Sequence, residues 1–459
     1  MLLQTLELLT HSDNMALPRI LYYNLKLNRN VHKERHTILK QREKRLRRLL
    51  KHAFHHSDFY RKYYADHGIS SADLEHMDIN HFPVIDKKLM MDHFDEFVVP
   101  GELKRERVED FLESYPAPDT ALNDKYRVIH TSGTTGEVGY FLYNNREWDF
   151  IKAISLRIFP HFGLKSKNYI FIGAADGHYA GVSLFLSPLH SPEAFVYREY
   201  LVLDINYPVD QYIDKVNRVN PDVVTGYPTG IGMLAELQKS GKLSVSPKAV
   251  VCGGEPITPE TKELIHDTWE CELINYYAAS ESLIMGVERT DLEGFYLFDD
   301  VNYIEFMDDH ILLTNLYNYT QPLIRYRMND VLVPEGEGGI WPFTRIKHVI
   351  GRQEELLWFI NQNGKFDFIH PIVIVEFYVR GLGKYQVIKK GNTSFTFKAV
   401  ISQQFDKDRV VKKIDERLRE ILQKKKMLNV DYRVEVVSDI PRDMKTGKYN
   451  LIREEFGSA

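Results

Sequence analysis

Between residues 120 and 300 the chain alternates short β-rich runs with helical ones, and nothing else in it limits the fold as strongly. Strands are expected at Tyr169–Ala174, Ala194–Tyr197, Asp222–Thr225, Ala249–Cys252 and Glu272–Tyr277. Helices fall between them, among them Thr229–Gln238 and Thr258–Trp269. The second is well marked, with Thr258 at the N-cap, Pro259 at the first helical position and Glu260 in the first turn. The pattern predicts an α/β fold with mixed, partly parallel sheets. Ligands of such sheets gather at the carboxyl ends of strands. The loops that follow strands are therefore the places to look.

Three of these loops are rich in glycine: Gly177-His178-Tyr179-Ala180-Gly181, Gly226-Tyr227-Pro228-Thr229-Gly230 and Gly253-Gly254-Glu255-Pro256. Paired glycines after a strand let a flat ring lie against bare backbone, although glycine and proline mark ordinary turns too. A fourth segment, Asn275-Tyr276-Tyr277-Ala278-Ala279-Ser280-Glu281, ends with a hydroxyl beside a carboxylate. That pair suits Mg²⁺, which takes oxygen ligands through one or two carboxylates plus substrate phosphates. The same residues also read as a strand end followed by a helix capped by Ser280, with Glu281 favouring its dipole.

The stretch His130-Thr131-Ser132-Gly133-Thr134-Thr135-Gly136-Glu137-Val138-Gly139 lies between two apolar runs, Tyr126 to Ile129 and Tyr140 to Tyr143. A hairpin with a small-residue tip is the natural reading. Its glycines admit close backbone N–H groups, and the hydroxyls of Thr131, Ser132, Thr134 and Thr135 add donors, which together make a phosphate cradle. A Walker-type loop is excluded, because no lysine follows Gly136.

At 459 residues the chain is too long for a single core. No apolar run approaches the roughly 20 residues of a membrane span, and the first residues do not read as a signal peptide. Its two cysteines, Cys252 and Cys271, exclude a disulfide framework and a cysteine-rich zinc site, which makes the cytoplasm the expected compartment. The 59 Lys and Arg against 64 Asp and Glu give a net charge of -5, with no push towards nucleic acid. Locally, nine basic residues between Lys33 and Lys51 share helical spacing with Ile38, Leu39, Leu46, Leu49, Leu50, Ala53 and Phe54. An amphipathic helix with a solvated basic face is expected there. His52, His55 and His56 lack the spacing and partners of a metal site.

Residues 1–115 look mostly helical. The glycine-rich stretch Pro334–Gly339 marks a boundary near 350. Beyond it, residues 353–459 read as a small α+β unit, with strands at Ser394–Ile401 and Tyr432–Val437. Its amphipathic helix opens after Asp406 and carries Val410, Val411, Ile414, Leu418, Ile421 and Leu422.

Six motifs occur in one order: the Thr131–Gly136 loop, Gly253-Gly254-Glu255, Tyr276-Tyr277-Ala278-Ala279-Ser280-Glu281, Arg325-Tyr326-Arg327-Met328-Asn329-Asp330, Gly351-Arg352-Gln353-Glu354-Glu355, and Pro441-Arg442-Asp443-Met444-Lys445-Thr446-Gly447-Lys448. In order and spacing they resemble the adenylate-forming (acyl-CoA synthetase) superfamily. The stretch from His52 to Lys87, with His52-Ala53, Phe59-Tyr60-Arg61 and Phe82-Pro83-Val84-Ile85-Asp86-Lys87, is similar to the phenylacetate-CoA ligase and capsule-protein-K-like group. The chain departs from the usual pattern at Glu137-Val138, Ala278, Asn329 and Glu354. Asn tolerates left-handed backbone nearly as well as the usual Gly, so the turn at Asn329 is expected to survive.

The resemblance implies a large N-terminal adenylation domain over residues 1–350, with its α/β core at 120–350, and a small mobile C-terminal lid domain over 351–459. It implies that ATP and a carboxylic acid form an acyl-adenylate and pyrophosphate, after which CoA takes the acyl group and AMP leaves. Ser132, Gly133, Thr134, Thr135 and Gly136, with Thr131, would cradle the β- and γ-phosphates, and Glu281 would hold Mg²⁺. Gly253, Gly254 and Tyr277 would frame the adenine, within a nucleotide site that also includes Glu255, Tyr276, Ala278 and Ser280. Asp330 and Arg352 would bind the ribose. Lys448 would bridge the carboxylate and the α-phosphate, and the small domain would turn about Glu354. His178, Tyr179 and Tyr227 would line the acid pocket, whose aromatic residues favour an aryl or otherwise flat acid. Family members are often dimers, so a homodimer is implied by analogy. An amine, carrier-protein or protein-thiol acceptor, and a catalytically inactive nucleotide-binding homologue, remain the alternative readings.

Overall fold

A computed structural model describes residues 16–114, 116–131, 138–158, 167–187, 197–336, 339–350, 357–369, 373–374, 377–440 and 451–455. The N-terminal part is helical as expected, in Ala16–Asn30 (α1), Arg35–His56 (α2), Asp58–Asp66 (α3), Lys87–Asp92 (α4), Phe94–Phe97 (α5) and Arg105–Glu113 (α6). The basic face of α2 is solvated only in part. Lys40, Lys44, Arg48 and Lys51 are exposed, whereas Arg35 and Arg42 reach Asp299 at 3.3 and 3.4 Å, and Arg47 donates to the carbonyls of Leu74 and Met77. The carboxylate that claims Arg35 and Arg42 comes from far along the chain. His52 accepts the same fate, with Nε2 at 2.9 Å from the Tyr319 carbonyl.

An antiparallel hairpin of Tyr126–Thr131 (β1) and Gly139–Asn144 (β2) follows, in register from Tyr126 opposite Asn144 to Thr131 opposite Gly139. Helix Asn145–Ile158 (α7) then packs on α1. Between them lies a fully buried ion pair, Arg157 to Asp300 at 2.6 Å, joined by Asn30 Nδ2 at 2.7 Å from Asp300. Burial raises the pKa of Asp300, but the neighbouring Arg157 and Arg45 charges prevail and hold it below the usual carboxylate value.

The central sheet contains Lys167–Gly173 (β3), Tyr197–Asp204 (β4), Val223–Gly226 (β5), Ala249–Gly253 (β6), Glu272–Ala279 (β7), Leu283–Arg289 (β8) and Phe295–Leu297 (β9). Asn302–Phe306 (β10), Ile311–Asn315 (β11) and Tyr326–Met328 (β12) form a separate antiparallel sheet, and Val331–Gly336 (β13) and Arg345–Ile350 (β14) return to the first. Its order is β13-β14-β9-β8-β7-β6-β5-β3-β4. From β4 to β7 every pairing is parallel, and from β7 to β13 every pairing is antiparallel. Helices Ala180–Leu186 (α8), Ile213–Val219 (α9), Pro228–Lys239 (α10) and Pro259–Trp269 (α11) cross over between the parallel strands. Thr258 Oγ1 accepts from Thr261 N at 3.2 Å, which is the cap read from the sequence.

Four of the five expected strands stand close to their expected positions. Of the fifth, Ala194–Tyr197, only Tyr197 is described, and it opens β4 at Tyr197–Asp204; residues 188–196 lie outside the described residues. The charges of Arg198 and Glu199 conceal a strand at the sheet edge, where Tyr200 is 44% exposed.

Residues 357–455 build a small lobe. Leu382–Gly391 (β17), Ser394–Ile401 (β18), Asp431–Val436 (β19) and Ile452–Glu454 (β20) form a four-stranded sheet, preceded by a hairpin of Leu357–Ile360 (β15) and Phe366–Ile369 (β16). Helix Lys407–Lys424 (α12) covers the sheet, capped by Asp406, whose Oδ1 accepts from Arg409 N at 2.8 Å. Its apolar face joins one core with Tyr385, Phe395 and Phe397, and that core continues into the large lobe at Phe171, Tyr179, Val182 and Tyr227. The boundary expected near residue 350 falls beside residues 351–356, which lie outside the described residues.

Candidate active site

The end of β1 places Thr131 at the mouth of the hairpin tip, opposite Gly139. A Cβ at Gly139 would lie 3.0 Å from Thr131 Oγ1, so glycine there leaves room for the hydroxyl. Ser132, Gly133, Thr134, Thr135 and Gly136 lie outside the described residues. Lys87 approaches the loop from the N-terminal helices, with Nζ 3.2 Å from Thr131 Oγ1. It opens α4, behind Asp86, whose Oδ1 accepts from Leu89 N at 2.8 Å. The sequence reading gave Lys87 no role. The local signal for the cap was present, but the 44-residue separation from Thr131 was not readable.

Tyr326 is the hub that joins the remaining elements. Its residue pairs in parallel with Ile85, flanked by Ile85 N to Arg325 O at 3.2 Å and Arg327 N to Ile85 O at 2.8 Å. Its ring lies 6.2 Å from that of Phe141 on β2, and its phenol hydrogen-bonds the Glu281 carboxylate. Glu281 is 9% exposed and sits in the turn between β7 and β8. Tyr143 donates to Ser280 O at 2.6 Å, and Asn315 Nδ2 donates to Glu281 O at 3.1 Å, fixing that turn from two sides. No helix starts at Ser280. The chain reverses directly into β8, with Leu283 at φ +37°, because β7 finds its antiparallel partner there.

Tyr277, on β7, donates to Asp330 Oδ2 at 2.7 Å. Glu281 and Asp330 are thus each held by a tyrosine, Tyr326 and Tyr277. Burial first, then the Asp330 charge, raises the pKa of the Tyr277 phenol well above its usual range, so the hydroxyl stays a donor. Asn329 keeps an ordinary backbone, and the left-handed residue of this segment is Arg325, at φ +51°. Its guanidinium is anchored by Glu305 and by the carbonyls of Asn80 and Phe82, which holds the unusual conformation.

The faces left by the paired glycines are not bare. A Cβ at Gly253 would meet the Tyr276 ring at 2.6 Å, and one at Gly254 would meet the Tyr227 ring at 2.9 Å. Two tyrosine rings therefore pave the carboxyl ends of β5 to β7. Glu255 Oε2 accepts from Thr229 N at 3.4 Å, linking the loops after β5 and β6, and Ala278 continues β7 opposite Ile284.

Among the expected pocket residues, Tyr179 and His178 part company. The Tyr179 ring packs 4.9 Å from His130, at the root of the hairpin tip. The His178 ring turns the other way, 5.2 Å from Phe111 on α6. Burial pushes the pKa of His130 down to about 3 and that of His178 down to about 4, so both rings are neutral near pH 7. Arg352, Glu354 and Lys448 lie outside the described residues.

A divalent cation fits these residues in a limited sense. Among the described residues no group of three His, Cys, Asp or Glu side chains could hold a metal. In the turn after β7 Glu281 offers a nearly buried carboxylate, which suits an ion that takes its other ligands from phosphates and water.

The family model for AMP-binding enzymes matches residues 59–297, more than half of the chain. Protein CapK of Staphylococcus aureus is 25% identical over 218 residues, covering 45% of this chain and 48% of that protein. Phenylacetate-coenzyme A ligase of Pseudomonas putida is 24% identical over 348 residues, covering 68% of this chain and 70% of that one. A crystal structure of 2-hydroxyisobutyryl-CoA ligase, in complex with 2-HIB-AMP and CoA in the thioesterification state, superposes with a TM-score of 0.59 at 16% identity, over 91% of this chain and 90% of that chain.

Proposed function

The chain belongs to the AMP-binding enzyme family, and from that premise we propose that it activates a carboxylic acid with ATP and passes the acyl group to CoA. The observation that carries the reading is the convergence on Tyr326 of the Thr131 hairpin, the Glu281 turn and the Asp330 segment. In the first half-reaction a carboxylate oxygen attacks the α-phosphorus of ATP and pyrophosphate leaves. Two anions must be brought together and the leaving charge balanced, which is positioning and electrostatics.

Thr131 and residues 132–136 hold the β- and γ-phosphates in this reading, with the Lys87 ammonium beside them. Tyr277 aims Asp330 at the ribose hydroxyls, where a carboxylate accepts two hydrogen bonds. The rings of Tyr227 and Tyr276 offer apolar faces to the adenine. Glu281 would hold Mg²⁺, which when bound would supply charge neutralisation at the phosphates. Lys448 bridges the carboxylate and the α-phosphate. In the second half-reaction the CoA thiol attacks the acyl carbonyl and AMP leaves, after the small lobe has turned about Glu354. Tyr179 and Tyr227 line the acid pocket, which favours an aryl acid. His178 faces α6 and is left out of that lining.

Carboxylate-dependent ATP–pyrophosphate exchange, run over aryl, fatty and amino acids with a Lys448→Ala control, tests the reading. Exchange with one acid, lost in the control, supports adenylation, and thioester formation on adding CoA supports the acceptor. Nucleotide binding without exchange for any acid would overturn it.

A further inference from the structure

The small lobe meets the large one across a seam whose charges are sorted by lobe. The large lobe presents four carboxylates, Glu109, Asp110 and Glu113 on α6 and Asp176 after β3. The small lobe answers with four cations, Arg380 ahead of β17 and Lys413, Arg417 and Lys424 on α12. Arg380 lies 3.1 Å from Glu109, 2.9 Å from Asp110 and 3.7 Å from Glu113. Lys413 lies 3.2 Å from Glu113, while Arg417 and Lys424 lie 3.1 and 2.5 Å from Asp176. Among the described residues no ion pair crosses the seam with the opposite polarity.

Spacing on α12 accounts for the cation stripe. Positions 413, 417 and 424 fall on one helical stripe, directly beside the buried stripe of Val410, Ile414, Leu418, Ile421 and Leu422. Beside the stripe, Tyr378 reaches into the large lobe. Its hydroxyl is 3.2 Å from that of Tyr140, and its ring is 5.6 Å from His130, which precedes the hairpin tip.

Apolar contacts across the seam are non-directional and would tolerate several lobe orientations. The ion pairs are directional, and they add in a single orientation. We propose that this sorted seam is an electrostatic latch that selects the lobe orientation described above and seats Tyr378 against His130. Each pair is partly exposed, so each alone is weak and open to screening. Held together they act as a network. Separated, the large-lobe face keeps Arg105 on Glu109 and the small-lobe face keeps Glu420 on Arg417 and Lys424, and the charge left over on the two faces is of opposite sign. Ions then compete for them, and the latch weakens while the attraction between the apolar surfaces remains.

The test uses the full chain with dyes on His266→Cys and Lys412→Cys, both at well-exposed positions, and Cys271→Ser to remove the other accessible thiol. Energy transfer between the dyes reports lobe orientation without reference to any reaction. In dilute buffer one population is expected. Raising the salt to about 1 M, where the Debye length is ~3 Å, should shift the transfer efficiency. Asp176→Lys and Glu113→Lys should each produce the shift in dilute buffer. Lys413→Glu added to Glu113→Lys should reverse a substantial part of it, which a purely local structural defect would not do. Circular dichroism checks that each variant is folded. An efficiency indifferent to salt and to both single variants overturns the proposal, as does a shift that the paired reversal leaves in place.

Discussion

Tyr277 donates its phenolic hydrogen to Asp330 Oδ2 at 2.7 Å across 53 residues of sequence, tying the strand at which the sheet changes sense to the segment after β12. The bond fixes which oxygens of Asp330 remain for a ligand. Tyr277→Phe should leave the fold intact and weaken nucleotide binding by about tenfold, as expected for a hydrogen bond to a charged group. Asp330→Ala should weaken it further. Titration calorimetry with ATP measures both, and unchanged affinity in Asp330→Ala would remove that residue from the site.

Lys87 supplies the next prediction. Its ammonium is held at the mouth of the hairpin tip by Thr131. Lys87→Met should lower pyrophosphate exchange by about 100- to 1000-fold, the range expected on losing one preorganised donor at a developing charge. Lys87→Arg should recover part of the loss. Thermal unfolding should hardly change in either variant, which separates the phosphate role from a structural one.

Two glycines with positive φ should respond very differently to alanine. At Gly241 (φ +74°) nothing lies within 4 Å of the added Cβ, so the cost should be the backbone term alone, about 1 kcal/mol. At Gly226 (φ +135°) the Cβ would fall 1.9 Å from the Ile172 carbonyl oxygen of the neighbouring strand. Backbone must move there, and a loss beyond about 3 kcal/mol is expected. Urea unfolding of the two variants decides the ranking.

Buried neutral histidines set an acid limit on stability. With folded pKa values of about 3 for His130 and about 4 for His178, the folded chain refuses protons that the unfolded chain takes up below about pH 6.5. Stability should therefore fall as pH drops from about 6.5 towards 4, by up to ~1.4 kcal/mol per pH unit for each ring. His130→Phe should flatten the dependence by about one proton. An unchanged slope in urea unfolding series would contradict the assignment.

What could be read from the sequence was local. The caps at Thr258 and Asp406, the β1–β2 hairpin and the parallel crossovers all depend on neighbouring residues. Features set by distant partners were hidden. Nothing near Ser280 signals a direct reversal into β8, because Tyr143 and Asn315 impose it from other elements. The basic face of α2 is solvated at Lys40, Lys44, Arg48 and Lys51, but Arg35 and Arg42 are taken by Asp299 from far down the chain. Similarly, the glycine pair at 253 and 254 leaves backbone open to a flat ring in the sequence alone, while the rings that meet it belong to Tyr276 and Tyr227. The strand β17 was missed because lysines at 384, 389 and 390 interrupt its apolar pattern.

The change of sense at β7 also bears on the order of assembly. From β7 to β9 the pairings are antiparallel and close in sequence, so their loop-closure cost is small. On the other side, β3 must pair with β5 across the intervening strand β4 and helices α8 and α9, which is slow. The ribbon bearing Glu281 should therefore be a nucleus onto which the parallel half docks. Pulse-labelled hydrogen exchange during refolding should protect Tyr277 and Val287 amides before those of Ile170 and Val224. A chain that folds in this order has its carboxylate turn in place before the crevice around it exists.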